Sequence, residues 1–249
     1  SRDYAVGKWT VTYLRTLEEK NAPEDQLEEI CKKYWNNSGV RRYYIDRYFE
    51  KKEYDRVLQV LDESIELDKA YRGQVLEYNQ KKKEIYRLQG NKSAYIEQLW
   101  KLVLEQSAGD LDIYKELKAQ YSEKEWLIKR EELFKKLPAN AHIDRLYKEE
   151  KLYDRLLAYV LKSSGLYAVQ TYENVLKKEY PKQILSKYQG EVNKMASCTG
   201  NRKHYADLVA LLRRMKQIKG GSEIVETIVE EWKIKYRNRP AMMDELSKL

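Results

Sequence analysis

Apolar residues recur along nearly the whole chain at intervals of three and four. That is the period of a helix with one buried stripe, and no stretch alternates long enough to suggest a strand. The clearest stripe is Tyr205, Leu208, Val209, Leu212 and Met215, in a helix expected over 201–218. Beyond Gly220-Gly221 a second stripe follows, Ile224, Val225, Ile228, Val229, Trp232 and Tyr236, in a helix that Ser222 is placed to cap. Pro240 then opens a short terminal helix with Met242, Met243 and Leu246, read as a lid on the end of a stack.

The same pattern divides the rest of the chain. A first helix is expected over 3–19, and a second after Pro23 with Leu27, Ile30, Cys31 and Tyr34 on one side. Ser38-Gly39 breaks that helix, and a third follows over 40–51. The Tyr54 helix spaces Val57, Leu58, Leu61, Ile65 and Leu67 on one stripe, and the next, 71–88, ends at Gly90 in a C′ position. Helices over 92–106, 109–121 and 122–137 come next, with Asp110 and Ser122 as N-caps. After Pro138 the pattern predicts helices over 142–151, 152–163, 165–179 and 181–198.

Two short motifs return. Tyr54-Asp55-Arg56-Val57-Leu58 reappears as Tyr153-Asp154-Arg155-Leu156-Leu157, 99 positions later. Gly90-Asn91-Lys92 with Tyr95 reappears as Gly200-Asn201-Arg202 with Tyr205, 110 positions later. Such spacings are about three units of a helix-pair repeat of roughly 34 residues. The fold class expected is therefore all-α: a right-handed solenoid of antiparallel helix pairs, a tetratricopeptide-like superhelix without that repeat's consensus residues. One repeat domain, 1–249, is expected, with a seam near 138–141 at Pro138-Ala139-Asn140-Ala141.

Composition supports stacked amphipathic helices: 35% of residues are charged, and Pro and Gly number only four and ten. The 22 tyrosines suit thin two-layer packing, where a ring is buried and its hydroxyl reaches a polar neighbour. A base-stacking platform is the other reading of them. Net charge is +8, but 48 basic side chains are interleaved with 40 acidic ones. The basic clusters Arg41-Arg42, Lys81-Lys82-Lys83 and Arg213-Arg214 are the candidate polyanion surface, with a solvated helix face as the plain alternative.

No motif assigns an activity. His204 lies six residues after Cys198 with too few companions for zinc, and His142 has no nucleophile beside it in sequence. Gly220-Gly221 belongs to no phosphate-binding loop, and pairs such as Glu149-Glu150 and Glu230-Glu231 read as solvated helix surface. Cys31 and Cys198 form no CxxC spacing, so free buried thiols in a reducing, cytoplasmic compartment are expected. No apolar run is long enough for a membrane span. The chain starts Ser1-Arg2-Asp3 without methionine, as a piece of a longer protein would.

Several stretches resemble bacterial SWIM zinc finger family proteins. They are Asn201-Arg202-Lys203 with Tyr205, Leu211-Leu212-Arg213-Arg214-Met215, Gly220-Gly221, Trp232, Tyr236 and Arg239-Pro240-Ala241-Met242-Met243-Asp244-Glu245-Leu246. Lys118 to Trp126 and the Tyr153 motif are similar to the same proteins. The resemblance implies a parent with an N-terminal CxCx(n)CxH finger that binds zinc and contacts DNA or protein. This chain has two Cys and no CxC, so no zinc ligand carries over and no cofactor is expected within it. The expected function is a non-enzymatic scaffold for protein–protein interaction, the C-terminal arm of such a parent. The alternative is an accessory nucleic-acid-binding module using basic helix faces.

Overall fold

Helix ends in this chain are set by local chemistry that the computed structural model lays out for residues 2–249, with side chains from Tyr4 onward. Fifteen helices make up 76% of it, and among the described residues there is no strand. Contacts divide the chain into two compact units, 1–146 and 147–249. The division falls a few residues beyond the expected seam at 138–141, inside a short helix.

The first unit contains α1 (Arg2–Glu19), α2 (Glu24–Lys33), α3 (Ser38–Glu50), α4 (Tyr54–Leu67) and α5 (Arg72–Leu88). It continues with α6 (Lys92–Lys101), α7 (Leu111–Lys118) and α8 (Glu123–Lys136), and α9 (Ile143–Glu149) crosses into the second unit. Packing runs from each helix to the next in sequence, from α3 through α7, with α1 against both α2 and α3. Two cores result. Leu14, Leu27, Cys31, Val40, Tyr48, Val57, Leu61 and Ile85 form one, and Leu99, Leu102, Tyr114, Leu117, Trp126 and Leu133 belong to the other. The last turn of α6 widens into a π-helical segment, Leu102–Gln106, where the Ser107 N–H reaches back to the Leu102 carbonyl at 2.8 Å.

The second unit has one core. Its helices are α10 (Tyr153–Lys162), α11 (Tyr167–Leu176), α12 (Pro181–Ser197), α13 (Arg202–Lys216), α14 (Gly221–Lys235) and α15 (Pro240–Leu246). Besides sequential neighbours, α10 meets α12 and α12 meets α14. The predicted stripe from Tyr205 to Met215 is buried throughout, as are Val225, Ile228, Trp232 and Tyr236. The terminal helix α15 packs on α13 with Met242 and Leu246 buried.

Side-chain caps mark the helix starts at Asn37, Asn91, Asp110, Ser122 and Asn201. Asp110 accepts from the Asp112 and Ile113 amides, and Ser122 with Glu125 forms a complete capping box. Asn91 and Asn201, the echoed pair, both cap: Asn91 accepts from the Ala94 N–H at 3.2 Å and Asn201 from the His204 N–H at 3.0 Å. Other expectations give way. Ser38 opens α3 behind an Asn37 cap, so it does not end a continuing helix. Leu67 is 48% exposed, and Val60 with Ser64 completes the α4 stripe instead. Ser222 caps nothing, because α14 begins at Gly221. A Cβ on Gly221 would sit 1.9 Å from the Met215 carbonyl oxygen, so close backbone approach requires glycine there.

The strongest repeat is in the backbone. At Lys52 the chain turns left-handed (φ 61°) and the Glu53 N–H donates to the Tyr48 carbonyl at 3.0 Å. At Lys151, φ is 54° and the Leu152 N–H donates to the Tyr147 carbonyl at 2.9 Å. Gly90 (φ 69°) repeats the turn with Asn91 and Tyr86, and Asn21 (φ 56°) with Ala22 and Leu17. Each is the six-to-one bond of a Schellman turn, which satisfies a carbonyl at the end of one helix and aims the chain into the next. Three of the four place a tyrosine four residues before the left-handed position.

Candidate interaction surfaces

On a helix, neighbouring residues diverge by about 100°, so a run of basic residues splits between different surroundings. Arg41 is wholly buried in α3. Its Nη2 lies 2.5 Å from Asp68 Oδ2, its Nε 3.1 Å from Ser64 Oγ, and its Nη1 2.6 Å from the Trp35 carbonyl. Asp68 also accepts from the Tyr78 hydroxyl at 2.7 Å. Arg41 therefore clamps α3 to α4 and α5 and faces no solvent, which removes it from the candidate polyanion surface. Arg42, one residue on, is exposed and pairs with Glu77 at 2.6 Å.

The triple lysine fans out in the same way. Lys81 Nζ sits 3.6 Å from the centroid of the Phe49 ring, over α3. Buried Lys82 pairs with Asp62 of α4 at 2.5 Å, and Lys83 with Glu116 of α7 at 2.6 Å. Burial pushes the Glu116 carboxyl up, but hydrogen bonds from Lys83 and Tyr95 outweigh it and hold the group below the usual range. Tyr95, buried and bonded to Glu116, is pushed up to about 12. In the second unit, exposed Arg213 donates to the Lys248 carbonyl at 2.5 Å. Arg214 binds Glu173 at 2.8 Å and the Gln170 carbonyl at 3.1 Å. None of the three clusters forms a continuous cationic face.

A second network holds α2, α3 and α4. The Tyr48 hydroxyl shares its one proton between Glu28, at 2.7 Å, and Glu24, while Arg56 bonds Glu28 and lies 3.8 Å from the Tyr48 ring centroid. Hydrogen bonds from Tyr48 and Arg56 hold Glu28 below its ordinary value. Arg47 joins Glu24 at 2.7 Å and Glu18 as well. Every charge in this cluster meets an opposite charge or a ring, which describes a clamp between helices.

Cys31 is buried, and desolvation pushes its thiol up to about 11; Cys198 is exposed, against the expectation of two buried thiols. The His204 Nε2 lies 3.1 Å from the Met195 carbonyl oxygen and ties α13 to α12. Among the described residues no group of three or more His, Cys, Asp or Glu is placed to hold a metal ion, and no helix is long and apolar enough to cross a membrane. Two surface hollows, about 380 and 390 Å³, flank α5. Lys82, Gln98 and Trp100 line the first, and Lys83, Glu84, Arg87 and Glu116 the second.

Two surface features escaped the residue-by-residue reading. On α1, Val6, Trp9 and Tyr13 stand 38%, 70% and 53% exposed at helical spacing, an apolar stripe facing outward. Charge is also uneven. Residues 1–146 carry 28 Lys and Arg against 27 Asp and Glu, while 147–249 carry 20 against 13. Nearly all the net positive charge belongs to the second unit, a signal that a running charge count would have found.

The fold and these surfaces define an all-helical protein. In comparison with known proteins, no family model, no curated protein and no solved structure matches the chain.

Proposed function

We propose that the chain is a helix-hairpin solenoid that serves as a scaffold for a protein partner. The observation that carries this reading is the recurrence of one backbone turn, at Lys52 and again 99 residues later at Lys151, with the same carbonyl bonded behind each. A hairpin used repeatedly is the unit of a solenoid, whose function is to present an extended surface. The tetratricopeptide-like, right-handed superhelix and the role as arm of a SWIM zinc finger parent extend the same proposal, the latter on the resemblance alone. The exposed Val6–Trp9–Tyr13 stripe supports a protein partner, since tryptophan and tyrosine dominate binding hot spots.

The test is photo-crosslinking from exposed positions on each helix in turn, in cells producing the chain. A scaffold gives one partner, crosslinked from one face of successive helices. Scattered crosslinks to unrelated proteins, or none, count against it. The alternative, a nucleic-acid-binding module, draws on the charge excess of 147–249. It predicts duplex binding that weakens steeply with salt, and salt-insensitive or absent binding excludes it.

A further inference from the structure

Of the two hollows beside α5, the one lined by α6 holds an acceptor that the fold leaves unused. Ala94, Gln98, Lys101 and Glu105 line it at intervals of four, three and four along α6 and its π-helical end, and α5 contributes Lys82 and Tyr86. Its volume of about 380 Å³ lies within the range of ligand sites. Leu104 and Glu105, also on the lining, belong to the π-helical segment, a widening of the backbone that recurs at functional sites.

Gln98 is only 5% exposed, and its neighbours fix which way its amide points. The Gln98 Nε2 lies 3.0 Å from the Asn79 carbonyl oxygen and 2.9 Å from Asn79 Oδ1. Asn79 spends its own Nδ2 on the Val75 carbonyl at 2.8 Å, so it offers Gln98 acceptors alone. The Gln98 oxygen therefore turns away from Asn79. It has no hydrogen-bond partner among the described residues, and it is open to the hollow and not sealed in the core. Lys82 is 9% exposed, and its ammonium donates to a single acceptor among the described residues, Asp62 at 2.5 Å. Two of its three N–H groups are left over.

Trp100 supplies an apolar wall. Its indole N–H donates to the Tyr121 hydroxyl at 2.9 Å, so the ring is held in place before any ligand arrives. On the lining Lys82 and Lys101 balance Glu97 and Glu105, and Lys82 already opposes Asp62. A phosphate chain gains little from a surface with no net charge. A free acceptor and free donors beside a fixed apolar wall instead complement a peptide group and its side chain. We propose that this hollow takes a short extended segment of polypeptide. One main-chain N–H donates to Gln98 Oε1, a carbonyl accepts from Lys82, and an apolar side chain rests on Trp100 and Leu104. The inference deepens the scaffold reading and rests on it in taking that segment to belong to the partner.

The test is fluorine NMR on the full chain carrying fluorotryptophan, which gives one signal for each of Trp9, Trp35, Trp100, Trp126 and Trp232. Trp100→Phe identifies the signal of interest. The probes are the blocked tripeptides N-acetyl-Ala-Leu-Ala-amide and N-acetyl-Ala-Phe-Ala-amide, with AMP and duplex DNA as competitors. At least one tripeptide should shift the Trp100 signal saturably at about millimolar concentration, as a ligand with few contacts does. Methylating its amide nitrogens one at a time should weaken binding about fivefold or more at one position, through loss of the hydrogen bond to Gln98, with the protein unchanged. Ala94→Phe fills the hollow and should abolish the shift, and Lys82→Met should weaken binding about threefold or more. Unchanged circular dichroism melts confirm that both variants fold. The proposal is overturned by no Trp100 shift up to about 10 mM tripeptide, by a shift indifferent to every methylation and to Ala94→Phe, or by AMP or DNA binding there more tightly. Tripeptide binding beside scattered crosslinks keeps the hollow and removes the scaffold. A single-face crosslinking pattern without a tripeptide shift does the reverse.

Discussion

Replacing Arg41 by Ala separates the structural account of that residue from a role at the surface. The substitution leaves Asp68, which is 6% exposed, with no cation beside it, and strips a donor from Ser64 and from the Trp35 carbonyl. Removing one partner of a buried ion pair typically destabilises by about 3–5 kcal/mol, because the remaining charge stays desolvated. With a urea slope of about 2–3 kcal/mol/M, the unfolding midpoint should fall by about 1–2 M. Hydrogen exchange read on α3, α4 and α5 localises the loss, which matters because two units need not unfold together. Arg42→Ala, one residue away with its exposed Glu77 pair, is the internal control and should cost about 0–1 kcal/mol. Arg41→Met with Asp68→Leu and Tyr78→Phe should restore part of the loss, since an apolar set of similar volume replaces the buried charges while the Ser64 hydroxyl and the Trp35 carbonyl still lack the Arg41 donor. A loss for Arg41→Ala no larger than for Arg42→Ala would refute the clamp.

Other outcomes follow from the same geometry. Lys52→Gly and Lys151→Gly should each be neutral or stabilising by up to about 1 kcal/mol, because glycine relieves the left-handed backbone at both turns. Opposite signs in thermal melts would break the equivalence of the two hairpins. Gly90→Ala should destabilise by about 1 kcal/mol through backbone strain alone, as its added methyl meets no atom within 4 Å. Ser122→Ala should cost about 1 kcal/mol in a urea titration by opening the capping box. At alkaline pH, Tyr43, Tyr78 and Tyr95 are each pushed up to about 12, first by burial. Unfolded tyrosine ionises near pH 10, so the folded state holds these protons more tightly. Their contribution is full below about pH 10 and is lost as pH rises towards 12. Among the 22 tyrosines, the last phase of the rise in tyrosinate absorbance should therefore coincide with the loss of helical circular dichroism, and a rise that runs to completion with the helices intact would contradict it. A thiol reagent near neutral pH should label exposed Cys198 promptly and Cys31 only on unfolding.

The helices were legible because their signals are local. The α13 and α14 stripes, the Asp110 and Ser122 caps and the left-handed Gly90 need only residues within about two turns of one another. The repeat at 99 residues was visible as Tyr-Asp-Arg, yet its cause lay just upstream, in turns built on Lys52 and Lys151. Lysine does not advertise a left-handed backbone as glycine does. Charge proved least legible. Arg41 and Arg42 are neighbours in sequence, one sealed against Asp68 and the other in solvent with Glu77. Lys81, Lys82 and Lys83 reach three different helices. The sequence by itself determined where helices begin and end and which stripe each buries, since hydrogen bonding within a turn and a 3.6-residue period decide both. Only the tertiary structure decided which cations are consumed, as Arg41 and Lys82 are, and which stay at the surface, as Arg42 does. Their partners lie tens of residues away, and whether a charge finds one depends on which helix packs beside it.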